Sequence, residues 1–560
     1  MKKLNYKVFL PFIFAIVLAT GVLLGLAINF DRTQKPSEKK FFSIGLDRHD
    51  KISDILRYIQ ESYVDTVDQK ELAEEAIVNL LKNLDPHSSY IPASAFREMN
   101  DPLMGSFEGI GIEFNMLNDT VIVINPIPGG PSETAGIRAG DRIIEVDEVN
   151  IAGVNMSTEK VVNKLKGPKD TQVDVSIMRK GVDEFLDFTI TRDKIPSYSL
   201  DIAYLLDATT GYIKLGQFSA TTHQEFNMAL ERLKRNGMEQ MILDLRGNGG
   251  GFLEAAIQLA DELLEPGALI VYTDGRNRPK TEAHARRNGG FETQPLVILI
   301  DEWSASASEI IAGAVQDHDR GVIMGRRSFG KGLVQEQVQL GDGSALRLTV
   351  ARYYTPSGRS IQKPYEDGTE EYYTDFMQRY LDGELESPDS IRYDDSLRFE
   401  TSSGRTVYGG GGITPDIFIP LQTSERTQYF NVVANRGLIY RFAFDFADNN
   451  REMLNSYEHA DDFVENFHIG NDVLMDFISY ASENDVEYKE SEFRPAENLL
   501  KAHLKAYIGR NTFGNEAFYP VINQQDPAIS EALEVLNTGD MISYLLPHEE
   551  DDESGAESSL

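Results

Sequence analysis

The chain has 560 residues, of which 41% are hydrophobic, 10% aromatic and 26% charged; this excludes a wholly disordered polypeptide and leaves room for roughly three to five domains. Its formal charge of −35 argues against a nucleic-acid partner, because binding a polyanion needs a basic surface that releases counterions. There is no cysteine, which excludes disulfides, thiolate metal ligands and a cysteine nucleophile but does not report the compartment.

Residues 1–7 carry Lys2, Lys3 and Lys7 ahead of an uncharged segment from Val8 to Phe30. At about 1.5 Å per residue that segment can cross a hydrocarbon core of about 30 Å. The leading lysines keep the amino end in the cytoplasm and put the rest outside. A cleaved signal sequence and a retained transmembrane anchor both fit. The length of the segment and the absence of a small-x-small site in LGLAINF favour the anchor. The membrane is then a partner, and the expected location is the cell envelope, on the periplasmic or extracytoplasmic side of the inner membrane.

A polar linker (31–49) leads to residues 50–104, which read as a small helical module. Ile52, Ile55, Leu56 and Ile59 form one stripe, Leu72, Ala76, Leu80 and Leu81 another, and Asp85-Pro86 breaks the pattern. From 105 to 192 the texture changes to short β-like runs between glycine and proline turns. Gly109-Ile110-Gly111-Ile112, beside a strand, can offer clustered N–H groups to a carboxylate while the strand edge accepts an extended peptide. An ordinary hairpin with a glycine pair fits the same residues. With the later PSETAGIRAGDRIIEVD, the order of segments resembles a PDZ domain. That resemblance implies a carboxylate loop at Gly109 to Ile112 and a groove helix near Ser132 to Ala135.

Residues 193–420 alternate strands and helices, the pattern of an α/β core with a largely parallel sheet. MILDLR runs into Gly247-Asn248-Gly249-Gly250-Gly251 and then a helical stretch, a common anion-binding turn and weak by itself. The apolar run Leu296 to Ile300 leads into DEWSASASEI, after which Ile310, Ile311, Ala314 and Val315 recur at helical spacing. The serines therefore sit where free backbone N–H groups and a helix dipole can stabilise an oxyanion. The plain alternative makes Ser304, Ser306 and Ser308 caps and turn residues. GRRSFGKG matches G-x-x-x-x-G-K, but Gly332 stands where a phosphate loop needs Ser or Thr, and GLVQEQVQL continues as a strand, so nucleotide binding is rejected.

An attacking serine needs a base. His318 lies on the serine's own helix, roughly 18 Å away at helical rise, and cannot reach. His223 and His284 stay open, though neither sits at a strand end. Lys331, between Gly330 and Gly332, has a setting in which burial can disfavour its charge. A polar, tyrosine-rich insertion runs from Tyr365 to Gly412. Residues 421–547 show helical stripes such as Leu499, Leu500, Leu504 and Tyr507, and 548–560 is an acidic tail that reads as disordered. Its last residues, Ser558-Ser559-Leu560, form an apolar terminus suited to a PDZ groove.

Taken together, YVDTVDQKEL, LDPHSSY, DLRGNGGG, SASASEI, FGKGLVQ, RYYTPSGRSIQ and GGGGITPDI, spread over roughly residues 50 to 420, resemble the C-terminal processing peptidases, or tail-specific proteases. The resemblance implies a multidomain α/β protein. Its protease core is crotonase-like (ClpP-like), with an inserted PDZ-like β-rich domain, an N-terminal helical module and a C-terminal helical extension. It further implies a serine endopeptidase with Ser306 as nucleophile, Lys331 as base and Gln335 orienting the lysine. The oxyanion would meet the N–H of Ala307 and one from the glycine turn, Gly250 by resemblance. The family commonly has Pro-Gly-Gly where this chain has Gly249-Gly250-Gly251, so the donor stays open. Arg138 corresponds to an arginine that couples PDZ and protease in some relatives. Protein or peptide C-termini are the expected partners, homo-oligomerisation is left open, and neither cofactor nor metal is expected. The rival reading is a catalytically inactive, membrane-anchored PDZ scaffold, which needs none of the serine, lysine and glutamine.

Overall fold

The computed structural model describes residues 51–546 apart from 118, 367 and 540. The expected anchor from Val8 to Phe30, the linker 31–49 and the acidic tail with Ser558 to Leu560 lie outside the described residues. Among the described residues, no helix is long and apolar enough to cross a membrane. The chain divides into two compact units, one through Ala76 and one from Ile77. In the first, the helix Lys51–Ser62 is amphipathic yet buries no residue; Ile52, Ile55 and Tyr58 are all more than half exposed.

In the second unit, the stretch expected to stay helical up to residue 104 contains a strand, Ser89–Ile91, paired antiparallel with Ala345–Tyr354. The β-rich segment folds as an antiparallel sheet ordered Ile112–Leu117, Thr120–Pro126, Arg142–Val146, Gln172–Met178 and Leu186–Thr191. Alternation decides its faces: Val173, Val175 and Ile177 turn inward to Val121, Val123 and Ile143, while Gln172, Asp174 and Met178 stay exposed. The helix Thr158–Leu165 closes this core with Val161 and Leu165. Ile112–Leu117 is left as an edge strand.

The α/β core is a six-stranded sheet ordered Leu200–Leu205, Thr210–Leu215, Gln240–Asp244, Leu296–Ile300, Val322–Gly325 and Ile417–Phe418. The first pair is antiparallel and the others parallel. Every residue of Gln240–Asp244 and of Leu296–Ile300 is buried, because a parallel sheet is covered on both faces. Helices Thr222–Arg235, Leu253–Ala260 and Ala307–Asp317 cover one face. The other is covered from the C-terminal region: Ala528, Ile529, Ala532, Val535 and Leu536 of Pro527–Thr538 form a helical stripe against Ile242, Val297, Leu299, Val322 and Met324.

A second sheet contains the hairpin Leu333–Gln339 and Ala345–Tyr354, joined by Ser89–Ile91, Leu269–Gly275 and Arg278–His284. The remaining C-terminal helices bury an aromatic-rich core of their own, including Phe430, Phe442, Phe477 and Phe493. They also meet the β-rich domain. Phe444 packs with Leu117 and Ile122, Arg142 pairs with Asp448 at 3.4 Å, and Lys180 Nζ donates to Asn449 Oδ1 at 2.8 Å.

Candidate active site

The strand Leu296–Ile300 delivers the chain to Ser306, the N-cap of the helix Ala307–Asp317, at φ 56° and ψ −111°. A side chain other than glycine in that region stores about 1–3 kcal/mol of strain, which surrounding bonds must over-determine. They do: the Ser306 N–H donates to Glu309 Oε2 at 2.7 Å, and its carbonyl accepts from the Tyr353 hydroxyl at 3.1 Å. The neighbouring serines have structural work. Ser304 Oγ donates to the Leu245 carbonyl at 2.8 Å and Ser308 Oγ to that of Asn248 at 2.9 Å, and both are fully buried. Ser306 alone of the three lines a cleft of about 420 Å³, which it shares with Lys331, Gln335, Gly250 and Arg347.

Glu309, which the sequence reading passed over, is the hub of this site. It is 1% exposed, and its carboxylate accepts from Ser306 N, Ser328 Oγ at 2.6 Å, Gly330 N at 2.7 Å and Lys331 N at 2.9 Å. One buried anion thus ties the backbone of the serine to the backbone of the lysine. Burial pushes its carboxyl above the usual range, opposed by these four donors. A capping-box spacing, Ser-x-x-Glu, was the signal available for it.

Among the described residues, Lys331 Nζ makes neither a hydrogen bond nor an ion pair. Burial lowers its proton affinity below that of an ordinary lysine, and the Arg347 charge lowers it further, against smaller opposing effects of Glu309 and Asp85. Gln335 sits where the pairing register shifts between Val334 and Gln335, a bulge that re-aims the side chain. Its Nε2 donates to the His87 carbonyl at 2.8 Å, which leaves Oε1 as the end available to accept. The LDPHSSY loop is fixed in turn by Asp85, which accepts from the Ser88 hydroxyl at 2.5 Å and from Thr349 Oγ1 at 3.0 Å. The His87 imidazole is pushed down to about 4, by burial and then by Lys331. His223, His284 and His318 do not line the cleft; His223 bonds Glu262 and His318 the Leu269 carbonyl.

Gly250 lies directly against the serine: a Cβ there would stand 2.8 Å from Ser306 Cβ, and its φ of 100° favours glycine. Its N–H, however, donates to Asn248 Oδ1 at 2.9 Å. Gly250 therefore makes the close approach, while its donor is engaged inside the turn. Ala307 N, at the first helical position, has no acceptor among the described residues.

In the β-rich domain Ile110 and Gly111 form the turn between the strands Ser106–Gly109 and Ile112–Leu117. Ile110 is buried, its carbonyl accepts from Ser132 N at 3.0 Å and Ser132 Oγ at 2.6 Å, and Gly111 has φ 72°. Gly109 pairs with Asp193, and Ile112 opens the edge strand. The helix expected along the groove, near Ser132 to Ala135, instead underpins the loop, because Ser132 is fully buried beneath Ile110. The segment beside Gly109 is the end of Thr158–Leu165: Lys166 Cα is 3.6 Å from the position a Gly109 Cβ would take, and Gly167 N donates to the Glu108 carbonyl at 3.3 Å. Arg138 is absent from the serine cleft and lines a separate pocket of about 570 Å³ against Asp448 and Arg451 of the C-terminal helices.

The cleft brings a serine, a lysine and a glutamine together, and comparison with known proteins gives the family. Residues 209–371 match peptidase family S41, 109–190 the PDZ domain, 27–95 the N-terminal domain of the activating protease CtpB, and 429–514 a family of unknown function. A carboxy-terminal-processing protease of Bartonella bacilliformis is 40% identical over 317 residues, covering 56% of this chain and 72% of that protein. The carboxy-terminal processing protease CtpA of Bacillus subtilis is 32% identical over 353 residues, covering 63% and 75%. A carboxyl-terminal-processing protease of Synechocystis is 36% identical over 314 residues, covering 54% and 72%. The chain belongs to the carboxy-terminal processing protease family, as a multidomain α/β protease with a PDZ domain and a helical extension.

Proposed function

We propose that this protein captures the C-terminal tails of protein substrates in its PDZ domain and cleaves them with a Ser306–Lys331 dyad, on the outer side of the membrane to which Val8 to Phe30 would anchor it. The observation that carries the reading is the half-buried amine of Lys331, unpaired among the described residues, in the same cleft as the strained Ser306. In this mechanism neutral Lys331 takes the Ser306 Oγ proton as the oxygen bonds to the scissile carbonyl carbon, whose π electrons move to oxygen. That oxyanion is met by Ala307 N–H and an N–H of the glycine turn. The lysine's proton passes to the amine nitrogen as the C–N bond breaks. Lys331 then takes a proton from the water that attacks the acyl carbon and passes it to Ser306 Oγ as the ester C–O bond breaks, which releases the acyl group as a new carboxylate and restores serine and neutral lysine. Gln335, held at Nε2 by the His87 carbonyl, has Oε1 left to accept from Lys331 once substrate is bound, a contact that would keep the amine aimed. The apolar wall formed by Phe252, Leu253, Ile310 and Leu333 suits an apolar side chain before the scissile bond.

The test uses an unfolded polypeptide ending in an apolar residue, with either a free carboxylate or a C-terminal amide. Wild type is expected to cleave the free-acid form at least about tenfold faster, since the amide loses a charge-assisted contact, and Ser306→Ala to cleave neither. Equal rates for acid and amide would remove tail capture from the reading. No cleavage by wild type would favour the scaffold.

The same reading makes a pH prediction. Activity requires the neutral amine, so the rate falls as pH drops through the Lys331 pKa. Arg347 is a fixed cation that holds this value down, and no carboxylate lies within ion-pair distance of it among the described residues; its Nη2 bonds neutral Gln337 at 3.0 Å. Arg347→Met is expected to move the acidic limb of kcat/KM upward by about half a unit to one unit, and Arg347→Lys to leave it in place. Superimposable limbs for wild type and Arg347→Met would show that Arg347 does not act on the base.

A further inference from the structure

The C-terminal region reaches the glycine turn from behind the sheet. Arg246, the last residue before that turn, is held on all its polar atoms. Its N–H donates to Asp244 Oδ1 at 2.9 Å, its carbonyl accepts from Lys214 Nζ at 2.9 Å, and Nε and Nη2 bind Asp244 at 3.0 and 2.6 Å. The remaining nitrogen, Nη1, meets Asp526 Oδ2 at 2.8 Å. Asp526 is the N-cap of Pro527–Thr538 and its Oδ1 accepts from Ala528 N at 2.9 Å, so the direction of its carboxylate is set by the helix. The helix is set in turn by its apolar stripe on the back of the sheet. The cluster balances: Lys214 and Arg246 face Asp244 and Asp526, and no side chain of the four is more than 20% exposed. Two steps downstream the turn is bonded to the serine segment. Gly247 N donates to Asp301 Oδ1 at 2.9 Å, and the Asn248 carbonyl accepts from Ala305 N at 3.0 Å.

We propose that Asp526 is a positioning residue of the protease, which through Arg246 fixes the glycine turn beside Ser306 and makes the C-terminal helices part of the catalytic scaffold. The inference rests on the proposed Ser306 chemistry and extends it to a region with no assigned role. Its physical basis is that removing Asp526 leaves two buried cations facing one carboxylate, so Arg246 shifts toward Asp244 or solvent and carries the turn with it. Displacement of a donor by less than an ångström weakens transition-state binding more than substrate binding.

The experiment uses the full chain with Asp526→Asn, which keeps the cap and the volume and removes the charge, and Asp526→Ser as a second neutral cap. Both are expected to lower kcat about tenfold with KM within about twofold. Affinity for a peptide boronate, which mimics the tetrahedral adduct on Ser306, should fall by the same factor, while a non-cleavable peptide binds as to wild type. Asp526→Glu, which retains the charge, should recover most of the loss. Unchanged kcat and boronate affinity in the neutral variants would overturn the proposal, as would equal losses for the boronate and the non-cleavable peptide. Activity surviving in Ser306→Ala is a different failure, which removes the underlying chemistry and this inference with it.

Discussion

Replacing Lys331 with methionine is expected to lower kcat/KM about a thousandfold or more and, at the same time, to raise the melting temperature. The first effect follows from losing the proposed base, the one lysine among the described residues that line the cleft, since positioned general bases contribute about 10²–10⁴-fold. The second follows from linkage. Burial and Arg347 lower the proton affinity of Lys331 in the folded state below that of the unfolded chain. At any pH below the ordinary lysine range, the unfolded chain therefore binds a proton more readily than the folded one, and the group opposes folding. This penalty is complete below the folded pKa and disappears as pH rises through the unfolded value. Methionine has similar length and no charge to desolvate, so the penalty goes with the amine. Single-turnover acylation and thermal unfolding of the two proteins check both halves. A variant that retains activity would remove Lys331 from the role of base, and one that melts lower would show the amine to be a structural partner.

Glu309→Gln is expected to damage both stability and catalysis, the opposite combination. The carboxylate accepts from four donors, with no donor of its own to misplace. An amide puts an N–H group where at least one backbone N–H already points, and it removes charge assistance from the rest. Leaving buried donors unsatisfied costs about 1–3 kcal/mol each, so a net loss of about 3 kcal/mol is expected, less the desolvation that the neutral side chain avoids. Released from their shared acceptor, Ser306 relaxes from its positive φ and the Lys331 loop shifts. Activity should fall at least about a hundredfold even at temperatures where the variant is fully folded. Chemical denaturation together with kcat on the folded population tests this. A stable but inactive variant would make Glu309 purely catalytic, and an unstable variant with normal turnover would make it purely structural.

Local patterns carried the sequence reading a long way, because the strand, glycine and helix around residues 244–253 and the strand, serine and helix around 296–315 are each written in consecutive residues. The contacts that assemble the site are not written that way. Glu309 lies inside the quoted SASASEI, but its partners Gly330 and Lys331 are more than twenty residues on, and spacing alone does not bring them back. His87 entered only within the quoted LDPHSSY and was given no role, although its carbonyl holds Gln335 across 248 positions. The PDZ loop was visible in its glycines, whereas the helix assigned to its groove was the wrong one, because a buried Ser132 looks like any other helix-start serine. The role of the C-terminal helices had a faint signal. Leu296 to Ile300 is apolar at every position, so both faces of the sheet need a cover, and only one cover could be counted before residue 421.

The rejected phosphate-loop match has a physical explanation in Glu309. The backbone donors at Gly330 and Lys331 do converge on an anion, but the anion belongs to the chain itself and arrives from the first turn of a neighbouring helix. A signature of glycines and a lysine reports a loop shaped to hold negative charge and is silent about where that charge comes from. Here the occupant is built in, so the lysine that would greet a phosphate is left to line the cleft beside Ser306.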